Sequence, residues 1–108
     1  MTDWLTVATA GDLPVGTIKK FDINGLDIAI ANTDEGFFAV DDTCTHAEVS
    51  LAEGELNGCQ IECWMHGANF DIRTGVALTP PATIALNTYP VQIVGKGETA
   101  EIQIKVSN

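Results

Sequence analysis

All three cysteines and both histidines of the chain lie between residues 42 and 82. Four of the five fall into two short segments, Cys44-Thr45-His46 and Cys63-Trp64-Met65-His66, with sixteen residues between them. Each segment puts one thiol and one imidazole into a single tight loop. Brought together, two such loops offer two sulfur and two nitrogen ligands. Thiolate is soft and charge-donating and suits ferric iron with inorganic sulfide, whereas neutral imidazole is harder and donates less. A cluster held by two of each should sit at higher potential than one held by four thiolates. A single tetrahedral zinc ion takes the same donors. Zinc fingers usually run Cys, Cys, His, His, however, and the order here alternates.

Other side chains in the region have simpler readings. Cys59 precedes Gln60-Ile61-Glu62, in a strand or turn where a free cysteine serves as a small apolar filler. Asp41-Asp42 reads as an acidic turn capping the first donor loop, ahead of a second metal site or an acid–base pair. Glu48, Glu53 and Glu55 read as a solvated acidic face, with docking to a basic partner as the functional alternative. There is no Gly-X-Ser-X-Gly elbow, no glycine-rich phosphate loop, and no third histidine for a catalytic metal triad.

Something must hold the two loops in place, and the flanking sequence alternates with period two. Leu26-Asp27-Ile28-Ala29-Ile30 follows Asn24-Gly25, a dipeptide suited to a type I′ hairpin turn, with Thr17 to Ile23 as the partner strand. Phe37 to Val40 forms a third strand after the turn Asp34-Glu35-Gly36. Val91 and Ile93 alternate with Gln92. After Gly95-Lys96-Gly97, the residues Ala100, Ile102, Ile104 and Val106 alternate with Glu101, Gln103 and Lys105, predicting a strand with one wet face. No amphipathic helix of ten or more residues is expected. From Asp42 to about Ala82 the alternation breaks up, glycines recur at 54, 58, 67 and 75, and Pro80-Pro81 closes the region with a stiff segment unsuited to a central sheet. The fold class is mainly β: a small antiparallel sandwich or open barrel with an inserted donor-bearing subdomain at about 42–82.

The chain has 108 residues, expected to form a single domain over 1–108. A 45% hydrophobic content marks it as globular, and a chain of this size buries roughly 65% of its unfolded surface. Fifteen acidic against five basic side chains leave a formal charge of −10, a field that repels nucleic acid and anionic lipid. Basic protein surfaces are the partners it suits. No segment reaches the roughly 18 apolar residues of a membrane span, and Met1-Thr2-Asp3-Trp4 lacks the features of a signal peptide. The expected location is the cytoplasm, where structural disulfides are disfavoured.

The paired motifs resemble the Rieske-type 2Fe-2S proteins, in which two histidines replace two cysteines on one iron. The likeness extends to Asp12-Leu13-Pro14 with Gly16, Leu51 to Gly54, Ile61-Glu62, His66-Gly67, Phe70-Asp71, Thr74-Gly75 and Pro80-Pro81, and so covers essentially the whole chain. The resemblance implies a Rieske-type iron–sulfur fold and one 2Fe-2S cluster per chain. Cys44 and Cys63 would hold its buried iron, and His46 and His66 its outer iron. Ala47 and Trp64 depart from residues common in relatives without removing a ligand. The loop-tying disulfide of the cytochrome-complex members would fall at Val49 and Met65, and the hydroxyls that bond cluster sulfurs there would fall at Ala68 and Phe70. All four are absent here. Together with the acidic field, their absence predicts the low end of the Rieske range, towards about −150 mV.

This pattern resembles the Rieske ferredoxins of aromatic-ring-hydroxylating dioxygenase systems. It implies a monomeric one-electron carrier, not itself an enzyme, between an NAD(P)H-dependent flavoprotein ferredoxin reductase and a terminal Rieske non-haem iron oxygenase. With all four ligands consumed, oxygenase chemistry is not expected within this chain alone. At least one of Trp64 and Met65 is expected to contribute to an apolar rim around His46 and His66, with Pro80-Pro81 opposite. The alternatives are a Rieske-like small subunit of an NADH-dependent nitrite reductase and a zinc-bound interaction module.

Overall fold

A computed structural model of the chain describes residues 4–43, 49–64, 68–79 and 85–105. The described residues form ten strands: β1 (Trp4–Thr9), β2 (Thr17–Ile23), β3 (Leu26–Thr33), β4 (Gly36–Asp41), β5 (Glu55–Asn57), β6 (Gln60–Glu62), β7 (Asn69–Asp71), β8 (Thr88–Tyr89), β9 (Val91–Val94) and β10 (Glu101–Lys105). Helix among the described residues is confined to single 3-10 turns at Ala10–Asp12, Leu51–Glu53 and Gly97–Thr99. None is long and apolar enough to cross a membrane.

The strands form three antiparallel sheets, ordered β1–β10–β9, β2–β3–β4–β8 and β5–β6–β7. The β2–β3 hairpin turns at Asn24 and Gly25, whose φ angles of 53° and 84° are the positive pair that a type I′ turn requires. β3 is buried on both faces. Its Ile28 and Ile30 join Leu13, Ile102 and Ile104 in one core, while Ala29 and Ala31 join Leu51, Ile61 and Phe70 in another. Burying an isoleucine side chain contributes about 2 kcal/mol relative to leaving it in water. The alternation in β3 therefore sorts large from small side chains between two cores instead of sorting core from solvent.

β10 follows the expected pattern, with Ile102 and Ile104 buried and Glu101 exposed; Val106 lies outside the described residues. β9 is an edge strand, and its Ile93 and Val94 are substantially exposed. β1 and β8 lie outside the strands that the alternation predicts. β1 pairs with the far end of the chain, Leu5 opposite Ile104 and Thr9 opposite Glu101, and β8 is only two residues long. The region expected to be irregular contains the third sheet, inserted between β4 and β8. Its strands are three residues each, too short to display a period.

Candidate metal centre

Of the four sequence-designated donors, Cys63 falls within the described residues. Cys44, His46 and His66 lie outside them, as do Ala47, Glu48, Met65 and Pro80-Pro81. Cys63 follows β6 directly and is fully buried. The residues that flank both donor motifs are described.

The first loop leaves β4 through Asp42. Its backbone N–H donates to the Asp27 carbonyl at 3.0 Å, and its own carbonyl accepts from the Leu51 N–H at 2.7 Å. Its carboxylate oxygen Oδ1 accepts from the Ala52 N–H at 3.0 Å. An isolated antiparallel bridge pairs Thr43 with Ser50. Entrance and exit are thus tied side by side. The second loop is closed by the Cys63 N–H, which donates to the Ala68 carbonyl at 2.7 Å, directly above the Glu62–Asn69 pair of the β6–β7 ladder.

The two feet are packed against each other. Leu51, Ile61, Cys63, Ala68 and Phe70 belong to one buried cluster. Gly54 ends the 3-10 turn after the first loop, and a Cβ built there would stand 1.9 Å from the carbonyl oxygen of Glu62. Only glycine allows the exit of one loop to lie against the strand that enters the other. Beyond β7, Asp71 donates its N–H to the Val76 carbonyl and Leu78 donates to that of Asn69, while Phe70 bridges to Ala77. Gly75, at φ 79°, has its Cβ position 2.2 Å from the Leu86 carbonyl oxygen, so this arm too lies tight against the returning chain.

The thiol of Cys63 lies inside apolar packing at the base of its loop, where a soft thiolate would meet a metal without water. Ala68 and Phe70, the positions to which the resemblance assigns sulfur-bonding hydroxyls, are fully buried and apolar. The donor types of the two motifs and the burial of Cys63 fit an iron–sulfur cluster.

The comparisons agree. A family model described as the Rieske 2Fe-2S domain matches residues 3–90. The chain belongs to this family. Among Rieske relatives, the 3-phenylpropionate/cinnamic acid dioxygenase ferredoxin subunit of Photorhabdus laumondii is 46% identical over 90 residues, 82% of this chain and 85% of the relative. The ferredoxin component of the naphthalene 1,2-dioxygenase/salicylate 5-hydroxylase systems of a Ralstonia species is 37% identical over 91 residues, 84% of this chain and 88% of the relative. A solved structure, the complex of reduced oxygenase and oxidized ferredoxin in carbazole 1,9a-dioxygenase, contains a chain that matches with a TM-score of 0.84 at 37% identity, covering 94% of this chain and 91% of that one.

Elsewhere among the described residues lie contacts that no motif signalled. The Arg73 guanidinium bridges Asp71, through Nε to Oδ1 at 3.1 Å and Nη2 to Oδ2 at 3.0 Å, and Glu35 in the β3–β4 turn, through Nη1 at 3.1 Å to Oε1. Those hydrogen bonds hold the Asp71 carboxyl below its usual range and raise the guanidinium further. Cys59, at the β5–β6 turn, is half-buried against the same core as Cys63, with Sγ 3.4 Å from Glu35 Oε2 and 3.6 Å from Thr33 Oγ1. Arg73 could have been noticed as the one cation between Lys20 and Lys96. On the other side, Tyr89 of β8 donates its hydroxyl to Asp41 Oδ1, and the Asn87 N–H donates to Oδ2 at 3.3 Å. Partial burial, then the bond to Asp41, pushes the Tyr89 phenol up to about 12. Trp64, next to Cys63, is 51% exposed and so is not a core residue. Glu53 and Glu55 are exposed, as an acidic face requires.

Proposed function

We propose that this chain is the ferredoxin of an aromatic-ring-hydroxylating dioxygenase system, working as a single unit in the cytoplasm. Its Rieske cluster, when bound, supplies a one-electron redox couple. Cys44 and Cys63 would supply the sulfur ligands, and His46 and His66 the nitrogen ligands. Residues 42–82 would form the part that holds the group, and the two flanking sheets the base that supports it. An NAD(P)H-dependent flavoprotein reductase would donate the electron, and a terminal Rieske non-haem iron oxygenase would receive it. The ring chemistry then resides in the oxygenase and not in this chain.

The observation that carries this reading is the conjunction of both donor motifs with two loop feet tied and packed together, in a chain that covers most of the length of dioxygenase ferredoxins. The relative seated on its oxygenase supports the acceptor. Exposed Trp64 would present apolar surface beside Cys63 to either partner, and the acidic residues would steer the encounter. Contacts of the weak redox class are small and let the carrier dissociate.

The test has two arms. The purified chain alone should be a brown monomer with two irons and two sulfides, and its dithionite-reduced EPR spectrum should show the lowered average g value of mixed histidine–thiolate ligation. Cys63→Ser should abolish that spectrum, and Cys59→Ser should leave it. The chain should also restore turnover to a dioxygenase reductase and oxygenase lacking their own ferredoxin. A colourless, zinc-loaded protein would refute the reading, as would a chain redox-active only within a larger enzyme.

A further inference from the structure

Residues 76–78 extend the third sheet by one further antiparallel rung beyond β7. Phe70 bridges to Ala77, the Leu78 N–H donates to the Asn69 carbonyl, and the Asp71 N–H donates to that of Val76. The Thr79 hydroxyl closes this edge by accepting from the Asn69 N–H at 2.9 Å. Directly opposed residues of an antiparallel pair share a face, so the register sorts the side chains. Ile61, Phe70 and Ala77 turn towards the core. The outward face carries the row Glu55–Glu62–Asn69–Leu78, with Val76 beside Leu78 two residues along the same segment.

Leu78 and Val76 are 43% and 48% exposed. Two large apolar side chains next to each other in water form a patch, unlike the singly scattered exposure common to all surfaces. At the other end of the row Glu55 is exposed, as is Glu53 in the adjoining 3-10 turn. Neither enters an ion pair among the described residues, and Arg73, just past β7, is taken up by Asp71 and Glu35. Neighbouring strands lie about 4.8 Å apart, so the apolar and acidic ends of the row are roughly 14 Å apart. The same face leads to the donors, because buried Cys63 and exposed Trp64 follow Glu62 directly.

We infer that the outward face of the third sheet is part of the seat for the terminal oxygenase. The surface it fits presents an apolar ridge to Val76 and Leu78, and a lysine or arginine roughly 14 Å to one side for Glu55. This rests on the acceptor proposed above. A net charge of −10 disfavours a second copy of this chain, a nucleic acid or an anionic membrane on the same face. A weak redox contact buries less than roughly 600 Å² on each side, so two aliphatic side chains make up a substantial share of it. Partner choice is then exercised beside the donor loops, by residues that bind no metal.

The experiment uses the holoprotein with the reductase and oxygenase of the test above. A wild type lacking either cluster or turnover would overturn that reading and this inference together. Given both, the double variant Val76→Ser, Leu78→Ser should keep the wild-type EPR spectrum and midpoint potential. Its apparent KM in oxygenase turnover should rise roughly tenfold at unchanged kcat, the size of a lost interface anchor. Ile93→Ser, at a similarly exposed apolar residue of edge strand β9, should stay within about twofold of wild type. Glu55→Lys should raise KM several-fold at low salt and flatten its salt dependence. Reduction of every variant by the reductase alone should run at the wild-type rate. If the double variant loses its cluster, Leu78→Ser alone and Glu55→Lys decide by the same criteria. A double variant no weaker than Ile93→Ser, a wild-type salt profile in Glu55→Lys, or a defect confined to reduction by the reductase would each overturn the inference and leave the electron-carrier reading intact. So would self-association of wild type that the double variant abolishes, which would give this face to a second copy.

Discussion

Two single residues illustrate how tightly the chain is packed beside the donor motifs. At Gly54 a methyl group would lie 1.9 Å from the Glu62 carbonyl oxygen, and the atom it meets is main chain, which cannot rotate away. Gly54→Ala should therefore cost roughly 3 kcal/mol, the upper part of the range for overpacking, read from the midpoint of denaturant unfolding. The same variant should bind less iron, because the displaced segment carries the exit of the first loop. Tyr89 is the chain's one tyrosine, so its ultraviolet phenolate signal is its own. Burial and the Asp41 carboxylate favour the neutral phenol, raising it from 10.0 to about 12. The unfolded chain gives up this proton near pH 10 and the folded chain near pH 12. The stabilisation is accordingly intact below pH 10 and is lost as pH climbs towards 12. The absorbance titration should show a midpoint near 12, moved back towards 10 in Asp41→Asn. Thermal stability in Tyr89→Phe should lack the decline seen in wild type across that window.

Among the elements, the third sheet is the part with the least structure of its own. Three strands of three residues cannot persist alone, so β5–β7 must borrow stability from what they touch. One face is apolar and shares the core with β3 and β4. The other attachment is polar: Arg73, just past β7, holds Asp71 at its own end and Glu35 in the β3–β4 turn. Exposed ion pairs count for little singly, but a forked guanidinium that engages two carboxylates fixes geometry. Asp71 is held below the usual carboxylate range chiefly by its hydrogen bond to Arg73. A depressed carboxylate stabilises the fold above its unfolded pKa and ceases to do so as pH falls through its folded one. Arg73→Ala should thus be less stable than wild type at neutral pH. The two unfolding curves should converge in strong acid, where Asp71 is protonated, and approach each other at high salt.

For the molecule as a whole, charge is distributed unevenly. Between Lys20 and Arg73 there is no lysine or arginine, and Arg73 is already engaged by two carboxylates. The donor loops therefore lie in a stretch whose uncompensated charge is all negative, and Lys19 and Lys20 sit on β2, an edge strand. Such polarity orients an approaching partner before contact and raises the association rate. Electron delivery to a dioxygenase oxygenase should slow as ionic strength rises, most steeply near the Debye regime of 0.01–0.1 M. Stopped-flow rates at graded salt measure it. A rate indifferent to salt would assign recognition to apolar contacts such as exposed Trp64 instead.

Much of this was readable from residue order. The Asn24-Gly25 hairpin, the β4 strand and the alternation of β10 are local patterns, each set by turn chemistry or side-chain period within a few residues. The paired Cys-X-His and Cys-X-X-His spacing is likewise local, and it carried the family. Other features depend on partners remote in the chain. β1 acquires its place only by pairing with β10, and β3 loses its wet face only because sheets cover both sides. Cys59 meets Glu35 across 24 positions, Tyr89 meets Asp41 across 48, and the need for glycine at 54 arises from a carbonyl eight residues away that approaches it only in the folded chain. Composition and spacing state which atoms can bind a metal. How the loops that bear them are fastened depends on long-range backbone contacts and buried hydrogen bonds, which exist only after the sheets have assembled.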